Sequence, residues 1–508
     1  MRLDELTGGL AAAIHGGEAL AAAGAEISSL AYDSRAVKRG ALFFCVPGFQ
    51  SDGHDFAAQA VADGAVALAV ERPLGLGVPE AVFSSVREAM GPIAARFFGD
   101  PTSQLAIVGI TGTNGKTTTA YLVRALLEAS GMQCGLLGTV TSIVGGQERA
   151  VTRTTPEAVD LQRDFAEMLQ AGDRACAMEV SSHALALDRC DAIRFAAAVF
   201  TNISRDHLDF HGTMEDYFAA KRRLFCPPES APAPAPRASV LNVGDPYGRR
   251  LAAEVEGAAT FAVDAPADFS ARDVRCHLGG CRFTLHARGA ERELALPLPG
   301  RFNVANALGA LAAATELGCE LEAAARALEA GVRVPGRLEP VDEGQDFAVL
   351  VDYAHTPDSL ENVLRTAREL ASLGETAAGR VVCVFGAGGD RDRGKRPLMG
   401  EIAARMSDIA IVTSDNPRSE DPEAIIAEIV AGVRERDRER VQRTPDRAAA
   451  IAQAVTLARA GDIVLVAGKG HEQGQELAGG RKVPFDDVAV AREALGSARD
   501  ASVALSGR

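Results

Sequence analysis

The sequence predicts an α/β protein of about three domains whose sheets are mainly parallel. The chain has 508 residues, of which 47% are hydrophobic, and this is more than one hydrophobic core normally holds. Short runs rich in β-forming residues recur along the chain, and each run is followed by a helical pattern. Because strands that alternate with helices form parallel sheets with crossover helices, an α/β class follows.

The predicted strands extend through the whole chain. They are ALFFCV (41–46), LAIVGI (105–110), ACAMEV (175–180), AAAVFTNI (196–203), FAVLVDYA (347–354), VVCVFG (381–386), IAIVTS (409–414) and DIVLVAG (462–468). Turn-forming segments at 99–103 and 334–337 indicate boundaries, which predicts domains at 1–99, 100–335 and 336–508. The Pro- and Ala-rich segment 227–239 is expected to be an exposed loop inside the middle domain.

Charge and composition exclude several protein classes. The formal net charge of -15 argues against nucleic acid as a partner, because that affinity depends on clustered Lys and Arg. No secretion signal and no apolar run of about 18 residues is evident, so we expect a cytoplasmic protein without a membrane partner. The nine cysteines have no CxxC spacing, which predicts reduced core thiols and neither a disulfide framework nor a zinc site.

The sharpest motif is a phosphate loop. In IVGITGTNGKTTTAYLV, a β-rich run passes through two glycines to Lys116 and into a helical pattern. Glycines allow backbone N–H groups to approach phosphates, the lysine reaches the terminal phosphates, and the hydroxyl of Thr117 can ligate Mg²⁺. The position five before Gly115 is Ile110, so the run departs from the general P-loop pattern. A chance glycine turn is disfavoured because strand, glycines, lysine, threonine and helix coincide. The predicted ATP-binding residues are Gly112, Thr113, Asn114, Gly115, Lys116, Thr117 and Thr118.

Two further residues are candidate metal ligands. Glu179 and His207 lie at or just beyond the carboxyl ends of predicted strands, where ligands of open α/β sheets bind. A lone histidine is more often structural, but the nearby phosphate loop favours a Mg²⁺ site here.

Lys221 stands out because it lies on an apolar helical face. In HGTMEDYFAAKRRLF, Thr213 and Asp216 form a capping box, and Lys221 shares the face of Met214 and Tyr217. Two interpretations remain open. In one, the stem of the side chain extends its amine to solvent. Alternatively, a buried lysine captures CO₂ as a carbamate, which turns a cation into an oxygen ligand for Mg²⁺.

The motifs together resemble the Mur ligases over nearly the whole chain. They are GTNGKTT, MEVSSH, TNISRDHLDFHGTMEDYFAAK, GRFNVANALGA, PGRLE, VDYAHTPDSL, GAGGDRDRGKRP, SDNPRSEDP and GKGHE, in this order. The resemblance implies three domains, with a central P-loop ATPase-like parallel sheet and a Rossmann-like C-terminal domain. By the same resemblance, the first domain binds the UDP end of the substrate, the second binds ATP and Mg²⁺, and the third binds the incoming amino acid.

The closest resemblance is to the ligases that add meso-diaminopimelate to UDP-N-acetylmuramoyl-L-alanyl-D-glutamate through an acyl phosphate. It implies catalytic roles for Lys116, Glu179, His207 and Lys221. Thr117, Glu179, His207 and carbamylated Lys221 would hold Mg²⁺. Asn303, Arg337 and Asp352 would bind the nucleotide. The implied UDP-substrate contacts are Ser34, Gln50, Ser51, Thr154, Thr155, Ser181 and Arg189. Phe49, Arg153 and Leu187 depart from the family pattern, so no contact is carried over to them.

The third-domain motif suggests why diaminopimelate is the amino acid. Diaminopimelate is in effect lysine with a second α-amino-acid head, and the planar fork of an arginine can bind the extra carboxylate bidentately. Acidic Asp415 and Glu472 suit its ammonium groups, and lysine would leave Arg418 as an unpaired buried charge. The alternative for DNPR is a turn with a solvent-facing arginine. The implied contacts are Arg391, Asp415, Asn416, Pro417, Arg418, Gly468 and Glu472.

Rival functions remain within and outside this enzyme class. Within it are a lysine-adding homologue and a folylpolyglutamate synthetase, against which the DNPR motif argues. Outside it is an inactive ATP-binding scaffold, against which the intact candidate catalytic residues argue. We expect a monomer whose partners are the small-molecule substrates.

Overall fold

The computed structural model describes residues 1–16, 25–48, 51–372 and 379–506, with side chains described as far as residue 499. These residues form two compact units. The first contains Met1–Thr111, Gly131–Val199 and Ala219–Ser239; the second contains Gly112–Ser130, Phe200–Phe218 and Val240–Arg508.

The helices are numbered in chain order. They are α1 (Leu3–Thr7), α2 (Ala57–Ala62), α3 (Val86–Phe97), α4 (Lys116–Ala129), α5 (Ala158–Ala171), α6 (Ser182–Ala186), α7 (Leu208–His211), α8 (Met214–Arg222), α9 (Pro246–Ala252), α10 (Arg301–Glu316), α11 (Leu321–Ala330), α12 (Pro357–Ala371), α13 (Lys395–Met406), α14 (Pro422–Ala431), α15 (Arg447–Leu457) and α16 (Asp487–Ser506). Short 3₁₀ helices lie at Ser34–Ala36, Gly53–Phe56, Pro101–Ser103, Glu435–Arg440 and Ala478–Gly480.

The strands are numbered in the same way. They are β1 (Ala13–His15), β2 (Ser29–Ala31), β3 (Ala41–Phe44), β4 (Ala65–Val70), β5 (Glu80–Val82), β6 (Ala106–Thr111), β7 (Cys134–Leu137), β8 (Ser142–Val144), β9 (Gln147–Arg149), β10 (Ala175–Glu179), β11 (Phe195–Phe200), β12 (Ala238–Asn242), β13 (Ala259–Val263), β14 (Phe269–His277), β15 (Gly280–Ala287), β16 (Ala290–Leu296), β17 (Glu339–Pro340), β18 (Ala348–Asp352), β19 (Val381–Phe385), β20 (Ile409–Val412), β21 (Val441–Arg443), β22 (Ile463–Ala467), β23 (Gly474–Glu476) and β24 (Lys482–Pro484).

The first unit contains a five-stranded sheet and a set of parallel strands that position a carboxylate. The sheet has the order β1-β5-β4-β3-β2 and is parallel except for β1. Next in the chain, β10 pairs in parallel with both β6 and β7. Since Glu179 is the last residue of β10, its side chain lies at the carboxyl edge of these strands.

The second unit contains a six-stranded sheet with helices on both faces. Its order is β17-β18-β22-β19-β20-β21, and every pairing except that of β17 is parallel. Alternate residues of β19 enter opposite cores: Cys383 packs with α12, α13 and α14, whereas Val384 packs with α15 and α16. This two-sided packing accounts for the apolar sequences of β19, β20 and β22. The expectation of a Rossmann-like C-terminal region is confirmed.

Every predicted strand is present, with ends that differ from the prediction by a few residues. An antiparallel run of β14, β15 and β16 in the second unit was not predicted. The Pro- and Ala-rich segment has no helix or strand before β12, and most of it is exposed, as expected. Within the part of the chain that the structure describes, no helix has the length and apolar character needed to span a bilayer.

The expectation for the cysteines is wrong at one pair. Cys276 and Cys281 form a disulfide, with their Cα atoms 4.0 Å apart. They are direct partners in the β14–β15 hairpin, and such opposed positions bring two Cβ atoms close together. The hairpin was not recognised in the sequence, so the pairing could not be. The other cysteines form no disulfide, and all except Cys226 are buried.

Candidate active site

The phosphate loop connects β6 to the first turn of α4. Gly115 precedes the helix with φ of 83°, and a Cβ added to it would lie 2.2 Å from Oδ1 of Asn306. Glycine is therefore required both by the left-handed backbone and by the close approach of a neighbouring side chain. The Nζ of Lys116 donates to the carbonyls of Gly112 and Thr113, each at 2.9 Å. The lysine thus lies over the loop, where a phosphate would bind.

Neighbouring segments hold the loop in shape. The backbone N–H of Asn114 donates to Asn202 Oδ1 at 2.9 Å, and Asn202 Nδ2 donates to the carbonyl of Asn114 at 3.1 Å. The side chain of Asn114 also donates to Asp358 at 2.7 Å, and the hydroxyls of Thr113 and Tyr217 are 3.1 Å apart. Asn202 and Asp358 were not singled out in the sequence, although both lie in motifs that carry the family resemblance.

Arg337 and Asp352 form one arrangement beside the loop. Nη2 of Arg337 donates to Thr117 Oγ1 at 2.9 Å, and its guanidinium carbon lies 4.8 Å from the centre of the Tyr353 ring. Its Nε is buried and has no hydrogen-bond partner among the described residues, so this donor can serve a ligand. Both carboxylate oxygens of Asp352 accept backbone N–H groups, from Leu338 and Ala354. Burial raises the pKa of Asp352. Asp352 therefore shapes the turn that carries Arg337.

Asn303 lies behind the phosphate loop. Its side chain is buried, donates to the carbonyl of Pro299 at 2.8 Å and accepts from Asn306 at 3.1 Å. Through Asn306 it supports the position next to Gly115. Its contact with adenine stays a prediction.

His207 lies at the start of α7 in a left-handed backbone conformation, with φ of 53°. Its side chain is 43% exposed, and Nε2 is 3.3 Å from Oδ2 of Asp206. Burial opposes ionisation of Asp206, but the charges of His207, His355 and Lys395 outweigh it and lower the pKa of that carboxyl. An accessible imidazole next to a carboxylate can bind a cation, because the carboxylate orients the ring.

In the first unit, the predicted substrate residues form one network around Glu179. The two oxygens of this buried carboxylate accept from the N–H and the hydroxyl of Thr139, at 2.8 and 3.0 Å. The hydroxyl of Thr155 donates to the carbonyl of Glu179 and accepts from the N–H of Ser181. Ser181 in turn caps α6, and the hydroxyl of Thr154 is 3.1 Å from that of Thr139. The sequence did not indicate the role of Thr139.

Arg189 belongs to a cluster centred on Glu157. The Glu157 carboxylate is 2.9 Å from Arg189, 2.8 Å from Arg153 and 3.4 Å from Arg87. Arg189 also donates to the carbonyl of Thr155, while its buried Nε has no hydrogen-bond partner in the part of the chain described. Burial lowers the pKa of Arg189. Glu157 thus forms ion pairs with three arginines at this site, a role that was not predicted for it.

The remaining predicted UDP-substrate residues are more peripheral. Ser34 begins a 3₁₀ helix, and Ser51 is exposed with its carbonyl accepting from Gly48. Gln50 lies outside the described residues, as does Phe49.

Lys221 is buried near the end of α8, with 1% of its surface exposed. The interpretation that its amine reaches solvent is therefore wrong. The predicted cap is present: the N–H of Asp216 donates to Thr213 Oγ1, whose hydroxyl donates to the Asp216 carboxylate. Carbamylation of Lys221 stays a prediction.

In the second unit, the two predicted amino-acid loops follow the neighbouring parallel strands β19 and β20. They contact each other, since the N–H of Gly389 donates to the carbonyl of Asn416 at 2.9 Å and Ser419 donates to Asp390 at 2.6 Å. The expectation that both loops open at one sheet edge is confirmed. Arg391 is exposed and donates to the carbonyl of Asp390. Pro417 lies between the Asn416 and Arg418 contacts of the same loop.

Lys469 is a buried cation in this site that the sequence did not indicate. Its Nζ donates to Asn416 Oδ1 at 2.9 Å and to Glu472 Oε2 at 2.8 Å, and it is 3.8 Å from Asp415 Oδ1. A Cβ at Gly468 would lie 2.6 Å from Asp415 Oδ2, so glycine allows the two loops to approach. The carboxylates predicted to bind ammonium groups therefore already face one ammonium from the chain itself.

Arg418 has a counter-ion. Its Nε donates to Glu476 Oε2 at 2.9 Å, its Nη1 donates to the carbonyl of Gly389 at 2.8 Å, and its side chain is 21% exposed. The argument that lysine would leave Arg418 as an unpaired buried charge is therefore wrong, because Glu476 neutralises it. The alternative of a freely solvent-facing arginine is wrong for the same reason.

The donor set suits Mg²⁺, which prefers oxygen ligands. Among the predicted ligands, Thr117 supplies a hydroxyl oxygen and Glu179 supplies a carboxylate. Within the described ranges, no cluster of three or more His, Cys, Asp or Glu residues could hold a metal by itself. A Mg²⁺ site would therefore need a hydroxyl, the carbamate or substrate oxygens in addition.

Comparison with known families and proteins identifies the chain's relatives. Three family models match it: "Mur ligase family, catalytic domain" at residues 26–97, "Mur ligase middle domain" at 110–314, and "Mur ligase, glutamate ligase domain" at 336–470. The chain belongs to the Mur ligase family.

Two curated relatives have the same name, UDP-N-acetylmuramoyl-L-alanyl-D-glutamate--2,6-diaminopimelate ligase. That of Syntrophomonas wolfei is 45% identical over 92% of this Mur ligase and 95% of the relative. That of Streptomyces coelicolor is 48% identical over 93% of each chain. A solved structure of a ligase with this name is 34% identical, covers 98% of this chain and 99% of its own, and superposes with a TM-score of 0.67. The three-domain Mur ligase fold is confirmed, and the boundaries at residues 99 and 335 stay predictions.

Proposed function

We propose that this Mur ligase joins meso-diaminopimelate to UDP-N-acetylmuramoyl-L-alanyl-D-glutamate, with ATP as energy source, during synthesis of peptidoglycan precursors. The observation that carries the proposal is the similarity to ligases of that name at 45–48% identity over almost the whole chain. The arrangement of Arg418, Asp415 and Glu472 at one sheet edge supports an amino acid with two charged heads as the incoming substrate.

ATP binds at the phosphate loop in this proposal. The N–H groups of the loop and of the first turn of α4 meet the phosphates, and Lys116 neutralises their charge. Arg337 supplies the buried Nε donor next to Thr117. Members of the family are ATP-dependent ligases, so the loop has the role of a co-substrate site.

Mg²⁺ is the proposed metal. Its proposed ligands are those that the family resemblance implies: Thr117, Glu179, His207 and carbamylated Lys221. When bound, the metal neutralises the charge of the ATP phosphates during transfer. Burial of Lys221 supports the carbamate, because a neutral amine reacts with CO₂ and burial favours the neutral form.

The UDP-muramoyl dipeptide binds in the first unit. A network of hydroxyls and one guanidinium supports this proposal. It contains Thr154, Thr155, Ser181 and Arg189, and the buried Nε of Arg189 has no hydrogen-bond partner among the described residues. The γ-carboxylate of its D-glutamate attacks the γ-phosphorus of ATP and releases ADP. The amine of diaminopimelate then attacks the acyl phosphate, loses a proton and expels phosphate, which leaves the amide. The chain's contribution is mainly positioning and charge neutralisation.

The deciding experiment measures ADP and phosphate release by the purified protein with Mg²⁺ and the UDP-muramoyl dipeptide. Meso-diaminopimelate, L-lysine, L-glutamate with a folate acceptor, and no amino acid are offered in parallel. We expect release only with diaminopimelate, and amide formation is checked by mass spectrometry. Release with lysine or with glutamate instead would overturn the proposed substrate.

Lys116→Ala tests catalysis itself. The control is Lys482→Ala, because Lys482 is exposed and lies in the third predicted domain. We expect Lys116→Ala to reduce turnover by about 10³-fold or more, because it removes the cation that meets the transferring phosphate. Equal activity of the two variants would indicate a scaffold. Cytoplasmic location and a monomeric state stay predictions from the sequence.

A further inference from the structure

Glu476 contacts the Asp-Asn-Pro-Arg loop through all of its polar groups. Its N–H donates to Asn416 Oδ1 at 2.9 Å, its carbonyl accepts from the N–H of Arg418 at 3.1 Å, and its carboxylate accepts from Arg418 Nε at 2.9 Å. It ends β23, the first strand of a short antiparallel hairpin with β24. The neighbouring Gln475 adds a bond from its side chain to the carbonyl of Asp415. Nothing in the sequence motif itself indicates this partner.

The contacts of Arg418 fix the plane of its guanidinium. Nε is bonded to Glu476 on one side, and Nη1 is bonded to the carbonyl of Gly389 on the other. The backbone of Arg418 is also fixed, in a left-handed conformation with φ of 51°. A guanidinium has five N–H donors, and one N–H of Nη2 points to the same side as that of Nε, towards Glu476. The second N–H of Nη2 and one N–H of Nη1 are not used by Glu476 or Gly389, so the Nη1–Nη2 end of the fork keeps donors for a ligand.

We infer that Glu476 is a positioning residue for Arg418, which it holds with the Nη1–Nη2 edge directed at the far carboxylate of the incoming amino acid. The inference rests on the proposed function and adds a residue to its specificity. Arginine is flexible, and a side chain held in its binding conformation loses less entropy when the ligand arrives. Selection of diaminopimelate over lysine then depends on an orientation that Glu476 supplies, in addition to the charge of Arg418.

The role of orientation can be separated from that of charge. Glu476→Gln keeps an oxygen that can accept from Arg418 Nε and removes the negative charge, whereas Glu476→Ala removes both. We expect Glu476→Ala to raise the KM for diaminopimelate about 5-fold, the size expected for a partly exposed ion pair, with kcat within about 2-fold. We expect Glu476→Gln to stay within about 2-fold of the parent protein in both constants.

Two further measurements exclude a merely structural role. If Glu476 acts through Arg418, Glu476→Ala has no additional effect on KM when Arg418 is already alanine, because the two substitutions remove the same interaction. The KM values for ATP and for the UDP-muramoyl dipeptide should be unchanged. Glu435→Ala is the matched control: this glutamate of the same domain forms an exposed ion pair with Arg438 and should change none of these constants.

The outcomes distinguish this inference from the proposed function. Absence of diaminopimelate-dependent ADP release by the parent protein would overturn both. An active parent with an unchanged KM in Glu476→Ala would overturn the inference alone. A lower KM in Glu476→Gln would also overturn the inference, because Glu476 would then compete with the substrate carboxylate for Arg418. Additive effects of the two substitutions in the double variant would overturn it as well.

Discussion

The phosphate loop and the amino-acid site of the third domain place their cations in different ways. Lys116 donates to carbonyls three and four residues earlier in its own loop. Arg418 pairs with Glu476, 58 residues later, and Lys469 bonds to Asn416, 53 residues earlier. A short segment with glycines in the right places is enough to build the first site. The second exists only when distant segments of the sheet edge have come together.

This difference has a physical origin in the kind of group that does the binding. Backbone N–H groups of the phosphate loop carry no net charge and need no counter-ion. The side chains of the amino-acid site are charged and partly buried, so each needs a partner that water no longer supplies. Asp415, Glu472, Lys469, Arg418 and Glu476 accordingly form ion pairs with one another.

Gly115→Ala would test the local nature of the phosphate loop, and we expect a larger effect here than from substitutions in the amino-acid site. An alanine at φ of 83° is strained, and its Cβ would lie 2.2 Å from Asn306 Oδ1, so the loop must move. We expect turnover to fall by about 10²-fold or more, since misplacement of about 1 Å at a phosphoryl-transfer site has effects of that size. Steady-state ADP release and calorimetric titration with ATP would measure it.

Gly131 supplies the control for this substitution. Its φ is also 83°, but a Cβ there has no heavy atom within 4 Å beyond those of its neighbours in the chain. Gly131→Ala therefore imposes the same backbone strain without a clash and should destabilise the fold by about 1–2 kcal/mol while the enzyme keeps its activity. If Gly115→Ala were as active as Gly131→Ala, close packing at the loop would be irrelevant to catalysis.

Lys469→Met would test the dependence of the amino-acid site on a distant partner. The substitution leaves Glu472 and Asn416 without their buried donor, and uncompensated charge should destabilise the protein by about 2–3 kcal/mol. We also expect the KM for diaminopimelate to rise about 10-fold or more because Glu472 and Asn416 lose their fixed positions. Urea unfolding and substrate titration would measure the two effects. The exposed Arg438→Met is the control, and a normal KM in Lys469→Met would show that the site is built without this cation.

Glu420→Gln would test how the two amino-acid loops are held together. We expect the smallest effect from this substitution. Buried Arg396 donates to both oxygens of Glu420, and it also donates to the carbonyl of Gly388. These bonds lower the pKa of Glu420 to about 2 from its usual value near 4.5. Because the folded pKa is lowered, the stabilisation is present above about pH 4.5 and disappears as the pH falls through 2.

We therefore expect Glu420→Gln to be less stable than the parent by about 1–2 kcal/mol at pH 6, a value reduced for the partial exposure of this carboxylate. The difference should shrink steadily below pH 4.5. Denaturant unfolding of both proteins over this pH range would measure it, with Glu435→Gln as the exposed control. A difference that stays constant with pH would mean that ionisation of Glu420 does not link the loops.

The same contrast explains what the sequence could predict. Apolar runs located the parallel strands, and the glycine spacing located the phosphate loop, because both depend on neighbours along the chain. The network around Glu179 was anticipated as separate residues, yet its organiser Thr139 was not. Glu476 and Lys469 were missed as partners because pairing across 50 or more residues leaves no local pattern. The Cys276–Cys281 bridge was missed because the hairpin that opposes the two residues was not recognised.

Asp352 contacts both regions. Its carboxylate holds the turn of Arg337, which bonds to Thr117 in the phosphate loop. Its backbone carbonyl accepts from the N–H of Gly468 at 3.0 Å, and Lys469 follows directly in the amino-acid site. Any displacement of Asp352 thus acts on both regions. If binding at one region moves this residue, the affinities for nucleotide and amino acid are thermodynamically coupled, and the coupling free energy is the same whichever ligand binds first.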